Sequence, residues 1–265
     1  MAKKMVVVIV LAAFGAVVLA GNVSAQEMQL SGGMEFGFGV SRVNNDFAFY
    51  DTGDVYHYNE NYKSLFFAPG LSLSLRYFPD TESTLGFFFR DRSIFITNAK
   101  ITGTGSITNG SITISEKISE TYSAADGFMG IMDFDFGPSF RFILSEKLQL
   151  CTDLGVNFTI MDTEDDESGE TLNYWGIGIF SAVALQLNIG KIMYLEFGLN
   201  TIMNIVSSQK GKIYDPMYVA YEDTGRFDLI SMAPYIHIGW RLDVKKVRSG
   251  LSGKQFIESA YAGTP

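Results

Sequence analysis

Apolar and polar positions alternate with a period of two along most of this chain, the signature of half-buried strands. In a first segment Leu30, Met34, Phe36, Phe38 and Val40 share one face, and Glu35, Gly37, Gly39 and Ser41 share the other. A second carries Leu65, Phe67, Leu71, Leu73, Leu75 and Tyr77 against Ser72, Ser74 and Arg76. A third sets Leu85, Phe87 and Phe89 against Phe88, Arg90 and Arg92. The fourth opposes Met132, Phe134, Phe136, Phe140 and Phe142 to Asp133, Asp135, Ser139 and Arg141. The fifth opposes Leu148, Leu150, Leu154, Val156, Phe158 and Ile160 to Gln149, Asp153, Gly155 and Asn157. A sixth places Trp175, Ile177, Ile179, Val183, Leu185 and Leu187 on one face, with Gly, Ala and Gln186 between them. A seventh sets Leu195, Phe197, Leu199, Met203 and Ile205 against Tyr194, Glu196, Asn200 and Asn204. The last sets Ile230, Met232, Ile236, Ile238, Trp240 and Leu242 against Ser231, Tyr235, His237, Arg241 and Asp243.

Connections between these segments alternate in length. Short ones fall near residues 79–83, 145–147 and 188–191; long ones span 42–64, 98–126, 161–173 and 207–226. An even number of antiparallel strands with tight turns at one end and long loops at the other is the pattern of an up-and-down transmembrane β-barrel of about eight strands. A soluble barrel also alternates, but its polar face is rich in Lys. Here that face is built of Gly, Ser, Ala, Asn, Tyr and a few opposed charges, while the other is nearly unbroken Leu, Ile, Val and Phe, as lipid contact requires. Tyr77, Trp175 and Trp240 lie near strand ends, where interfacial aromatic girdles form.

The N-terminus adds an address. Lys3 and Lys4 precede an apolar run over residues 5–20, and Val23-Ser24-Ala25 offers small residues at the positions a signal peptidase reads. Residues 1–25 are therefore expected to be a cleaved signal peptide, residues 26–244 the barrel, and residues 245–265 a short periplasmic tail. The apolar run is shorter than the roughly 20 residues a membrane span needs, and no second such run follows.

Composition narrows the partners. The chain is 47% hydrophobic with 22 Phe and 13 Tyr, and only 18% of its residues are charged. Without residues 1–25 the balance is 18 basic against 29 acidic side chains, or −11. That disfavours nucleic acid, whose binding rests on basic contacts to phosphate. Cys151 is the single cysteine, so no intrachain disulfide staples the fold.

These features resemble the small outer-membrane barrels of the OmpA, OmpX and OmpW type found in Gram-negative bacteria, as a likeness of pattern over residues 26–244. The most specific stretch runs from His237 through Gly239 and Leu242 to Val244. It is similar to the terminal-strand signal read by the barrel-assembly machinery: a polar residue, a glycine, then alternating apolar residues. The resemblance implies residence in the cell outer membrane, outer-membrane lipid and the assembly machinery as partners, and an extracellular protein or surface ligand as a further one.

Candidate chemistry lies inside the barrel and on its loops. Glu35, Arg76, Arg90, Arg92, Asp133, Asp135, Arg141, Asp153, Glu196, Arg241 and Asp243 are expected to face inward. An eight-stranded interior is just wide enough for side chains to fill, and charges there must pair. That predicts a salt-bridged plug or a narrow polar pathway, not a wide pore. Only His57 and His237 could serve as imidazole bases; neither sits in a nucleophile elbow or a metal-ligand spacing. No enzyme activity, cofactor or metal is expected, and His237 reads as a lumen hydrogen-bonding group.

In the second long loop Asn109-Gly110 sits between alternating segments, a strong hairpin signal. It marks either a β-ribbon projecting past the membrane, whose exposed edge could pair with a partner's strand, or a solvated loop. Asp162, Glu164, Asp165, Asp166, Glu167 and Glu170 make the third loop acidic without calcium-ligand spacing. Phe47, Phe49, Tyr50, Tyr56, Tyr58 and Tyr62 make the first aromatic enough for a contact surface. Three readings stay open: a non-enzymatic surface-interaction or envelope-structural barrel, a narrow porin-like transporter of small or hydrophobic solutes, and a secreted soluble barrel binding a lipophilic ligand.

Overall fold

The computed structural model describes residues 27–51, 54–123, 128–164, 171–213 and 221–243. All its regular structure there is antiparallel strand: β1 Glu27–Asp51, β2 Asp54–Phe78, β3 Leu85–Phe95, β4 Asn98–Asn109, β5 Ile112–Ser123, β6 Phe128–Ile143, β7 Leu148–Glu164, β8 Thr171–Ile189, β9 Met193–Ile213 and β10 Tyr221–Asp243. β1 pairs with β2 on one side and β10 on the other, which closes the sheet. The ten segments make eight staves. The lower part of β2, Gly70–Tyr77, pairs with β3, and the upper part, Tyr56–Phe67, pairs with β4. β3 and β4 are thus one stave, and β5 with β6 the next.

The seam between β3 and β4 is a bulge. Buried positions run Ile94, Ile96, then Ala99, three residues apart where a regular strand requires two. The amide of Thr97 donates to the Phe67 carbonyl at 3.0 Å and keeps the seam tied to β2. At the opposite end the turns are tight. The Asp80 carboxylate accepts from the Glu82 amide at 2.9 Å, and Gly190 takes φ 93°, a conformation L side chains rarely adopt. Hydrogen bonds from the Ser83 side chain and the Glu82 amide hold the Asp80 carboxyl below its ordinary value.

The outward face carries a belt of large exposed hydrophobics on every stave, among them Met34 at 61%, Leu65 at 63% and Ile179 at 52%. Each such side chain forgoes about 1.5–3 kcal/mol if left in water, so the belt requires hydrocarbon around it. Trp175 marks one rim and Trp240 the other, both partly exposed. The alternation read from the sequence holds on the eight staves, β3 included, where Phe88, Arg90 and Arg92 are buried and Leu85 and Phe87 exposed, except at Phe134, which is covered at 3% exposure between Asp133 and Asp135. Asp91 departs from it: this carboxylate sits half-buried on the outward face, opposite Leu73 and Phe134.

The expected long loops are largely strand, which corrects that expectation. β1 and β2 each run 25 residues, where about 9–11 suffice to cross a bilayer. Residues 42–51 and 54–64 stay paired beyond the belt, and β4 and β5 form a hairpin on the same sheet. Thr and Ile recur in the β4–β5 hairpin and Phe and Tyr in the β1 and β2 extensions; such residues favour strands where the apolar alternation fades. The hairpin turn is Gly110-Ser111, with Asn109 paired to Ile112, one residue later than an Asn109-Gly110 centre. Gly110 takes φ 55°, as a primed turn requires at its first central position.

Candidate functional site

The lumen is filled in layers. At the turn end Arg141 lies over the Phe78 ring at 4.0 Å, pairs with Glu27 at 2.6 Å, and donates to the carbonyls of Asp80, Thr81 and Ser83. Beside it Arg241 donates to Gln149 and Gln186 at 3.0 Å each. Gln186 connects upward, donating to Gln29 at 3.0 Å and to Glu196 at 2.7 Å.

Arg76 is the hub of the next layer. Its Nε and Nη2 bind the Asp153 carboxylate, the latter at 2.7 Å, and its Nη1 reaches Glu196 at 2.5 Å. A fork holding two carboxylates is the geometry guanidinium is suited to. Ser139 donates to Asp153 at 2.6 Å and the Tyr235 hydroxyl to Glu196 at 2.9 Å. Arg90 lies over the Tyr235 ring at 4.5 Å and stands 3.8 Å from both Asp153 and Glu196. One level up Arg92 binds Asp133 and, through Nη1, Asn200, whose amide donates to Glu35 at 2.9 Å. Asn157 bridges Asp133 and Asp135, and Thr159 donates to Asp133.

Above this the lumen turns apolar. Val43, Phe66, Ala68, Ile94, Ile96, Ala99, Ile131, Met161, Tyr174 and Leu229 form a buried cluster on which Tyr62 packs. The polar pathway is therefore closed by arginine at one end and by hydrocarbon at the other.

The structure brings together Glu35, Arg76, Arg90, Arg92, Asp133, Asp135, Arg141, Asp153, Glu196 and Arg241, all of them expected inward. Asp243 is described only as a β10 backbone position, and Val244, residues 1–26 and the tail lie outside the described residues. So do the side chains of Phe47, Phe49 and Tyr50 and those of the acidic run from Asp162 to Glu170. The neutral partners Gln29, Gln186, Asn200 and Tyr235 were not singled out as a network; their shared inward parity is the signal that finds them. His237 is buried in the lumen with Nε2 2.6 Å from the Ser72 hydroxyl and Nδ1 3.4 Å from Ser31. Glu35 approaches that same Nε2, at 3.9 Å, so among the described residues no carboxylate orients the far nitrogen as in a catalytic triad. His57 is exposed on the outer face of the β2 extension.

Two glycines fit under rings across the β9–β10 pair. A Cβ on Gly239 would lie 2.2 Å from the Tyr194 ring, and one on Gly198 would lie 2.3 Å from Tyr235, each tyrosine standing opposite its glycine. Gly239 of the terminal motif thus has a packing role of its own.

A closed eight-stave barrel with an apolar outer belt and a charged, filled interior is the architecture of a small transmembrane β-barrel. Solved structures align with it. The outer membrane protein OprG from Pseudomonas aeruginosa aligns at TM-score 0.51 with 11% identity, covering 83% of this chain and 97% of its own. The attachment invasion locus protein Ail of Yersinia pestis aligns at TM-score 0.37 and 16% identity over 82% of this chain and 99% of its own. The outer membrane protease OmpT from Escherichia coli aligns at 0.37 and 10% identity over 83% and 97%. No protein-family model matches the sequence, and no curated protein matches it.

Proposed function

We propose that this barrel resides in the cell outer membrane, is exported by a cleaved signal peptide over residues 1–25, and acts as a non-enzymatic surface-interaction protein through the β4–β5 ribbon. The tight turns then face the periplasm and the ribbon faces outward. One observation carries the reading: among the described residues β5 pairs only with β4, and the two continue the sheet as a ribbon beyond the membrane belt. A sheet that continues past the membrane is a ready template for strand addition by a partner. The filled lumen favours this role over transport, since a conducting path would have to displace Arg141, the Arg76 network and the apolar cluster together. His237, Gly239, Leu242 and Val244 serve biogenesis in this reading, as the segment recognised by the barrel-assembly machinery.

Planar-bilayer recording on the purified protein tests the choice. A silent trace is expected; discrete openings that Arg141→Ala alters would overturn the surface role in favour of transport. Proteolysis of intact cells tests orientation, with cleavage expected within residues 98–123 and protection of residues 145–147. Protection of the first and cleavage of the second would invert the topology.

A further inference from the structure

A row of cations borders the hydrocarbon belt on the ribbon side of the barrel. The belt ends on β1, β2 and β10 at Val40, Leu65 and Ile230, all exposed, with Val40 paired to each of the other two. The next outward positions are Arg42, Lys63 and Asp228, and Arg42 stands directly opposite both others. On β4 Lys100 stands opposite Leu65, and Thr102 opposite Lys63. Arg42, Lys63 and Lys100 are exposed. Asp228 is held by Arg226 at 2.8 Å, and among the described residues no carboxylate forms an ion pair with Arg42, Lys63 or Lys100.

The carboxylates of these strands face the other way. Glu60, Glu116 and Glu120 follow the inward parity of Ser64, Phe66 and Ala99. There the Tyr58 hydroxyl donates to Glu60 at 2.6 Å. Burial first, then Glu60, then the charges of Glu116 and Glu120, push the Tyr58 phenol well above its ordinary value. The outward face of the same strands is left cationic on a chain whose net charge is −9.

Like charges directly opposite across a strand pair are destabilising, so Arg42 and Lys63 at one height require an anion from outside the chain. Their depth identifies it. A step of two residues along a strand rises about 6–7 Å, and headgroups occupy roughly 5–8 Å beyond the hydrocarbon on each side of a bilayer. The row therefore stands at headgroup depth, where the available anion is a lipid phosphate. The opposite rim is mixed: in its turns Lys147 and Lys191 accompany Asp80, Glu82 and Glu146.

We propose that Arg42, Lys63 and Lys100 bind the anionic phosphate headgroup of a lipid in the ribbon-side leaflet, with its acyl chains lying on Val40, Leu65 and Ile230. The Arg42 guanidinium can hold two phosphate oxygens at once, and the lysines add point charges on stems long enough to converge on them. The site depends on the belt and the row alone and is independent of the ribbon's role.

The test uses the full chain in a neutral detergent, read by native mass spectrometry as lipid retained per barrel. Short-chain phosphatidic acid and phosphatidylcholine of equal acyl length are the probes, and inorganic phosphate is the competitor. Wild type is expected to retain phosphatidic acid at about tenfold lower concentration than phosphatidylcholine, each cation contributing about fivefold. The Arg42→Gln, Lys63→Gln double variant should lose most of that preference, and a Lys147→Gln, Lys191→Gln variant at the opposite rim should keep it. Inorganic phosphate at the same concentration should not displace the lipid, since it makes no contact with the belt. Heat-modifiable gel mobility confirms that each barrel is intact; if the double variant fails to fold, Lys63→Gln alone should weaken retention about fivefold. Equal retention of the two lipids by wild type, or undiminished preference in the Arg42 and Lys63 variants, overturns the site. Displacement by inorganic phosphate would show an ion site and overturn the lipid.

Discussion

Removing the Arg76 guanidinium tests whether the lumen is organised by its charges. Arg76 is 1% exposed and holds Asp153 and Glu196, each fully buried, through five hydrogen bonds between 2.5 and 3.1 Å. In Arg76→Met two carboxylates lose their principal cation, and Arg90, 3.8 Å from each, is the one guanidinium left near both. Breaking a buried pair by deleting one partner costs about 3–5 kcal/mol, because the remaining charge is stranded. For a chain of this size about 1 kcal/mol corresponds to roughly 2–4 °C, so the variant should melt about 6–20 °C lower. The assay is the temperature at which the folded, faster-migrating form disappears on unboiled gels from detergent micelles. The variant that also neutralises both carboxylates, Arg76→Met with Asp153→Asn and Glu196→Gln, should recover much of that loss, since it strands neither carboxylate and leaves Arg90 beside Glu35. A single variant within about 1 kcal/mol of wild type, or a triple variant no better than the single, would refute the idea that pairing to Arg76 orders the lumen.

Four further outcomes follow from the same geometry. Asp135 has one carboxylate oxygen without a hydrogen-bond partner among the described residues and shares Asn157 with Asp133, so Asp135→Asn should leave unfolding unchanged or raise its midpoint. Asp133→Asn, which breaks the Arg92 pair, should cost about 3–5 kcal/mol, read by urea titration. Gly239→Ala and Gly198→Ala each push a methyl group into a tyrosine ring and should destabilise by about 1–3 kcal/mol, read as a lowered urea midpoint. Because the Tyr58 phenol is held protonated above its ordinary range, the folded ribbon binds that proton more tightly than the unfolded one. Its stability is therefore fully present below about pH 10 and declines above it. Tyrosinate absorbance and proteolysis of the ribbon at rising pH check this, and Tyr58→Phe should remove the decline.

Much of the barrel is legible from alternation because a strand has a fixed period and one face must meet hydrocarbon. That physics places Leu30 to Val40, Leu148 to Ile160 and Ile230 to Leu242 on the outside with no knowledge of their neighbours, and Arg76, Asp133 and Glu196 on the inside. Parity with Leu85, Phe87 and Phe89 puts Asp91 on that outward face too, but alternation alone gives no reason for a carboxylate there. The ribbon was half legible: Asn109-Gly110 signals a turn, but whether the flanking Thr-, Ser- and Gly-rich segments pair depends on the ladder with β2, and that is not a local property.

Partner choice belongs to the closed sheet. Arg76 lies 77 residues from Asp153 and 120 from Glu196, and the three meet because register and closure across several staves set their heights in the lumen. The same closure turns Val43, Ile131 and Leu229 into one apolar cap, although each reads as an ordinary strand residue. It also pairs β5 with β4 alone among the described residues and gathers Glu60, Glu116 and Glu120 on one face. Alternation assigns each side chain a side; which side chains share that side at the same height is decided by strand pairing in three dimensions.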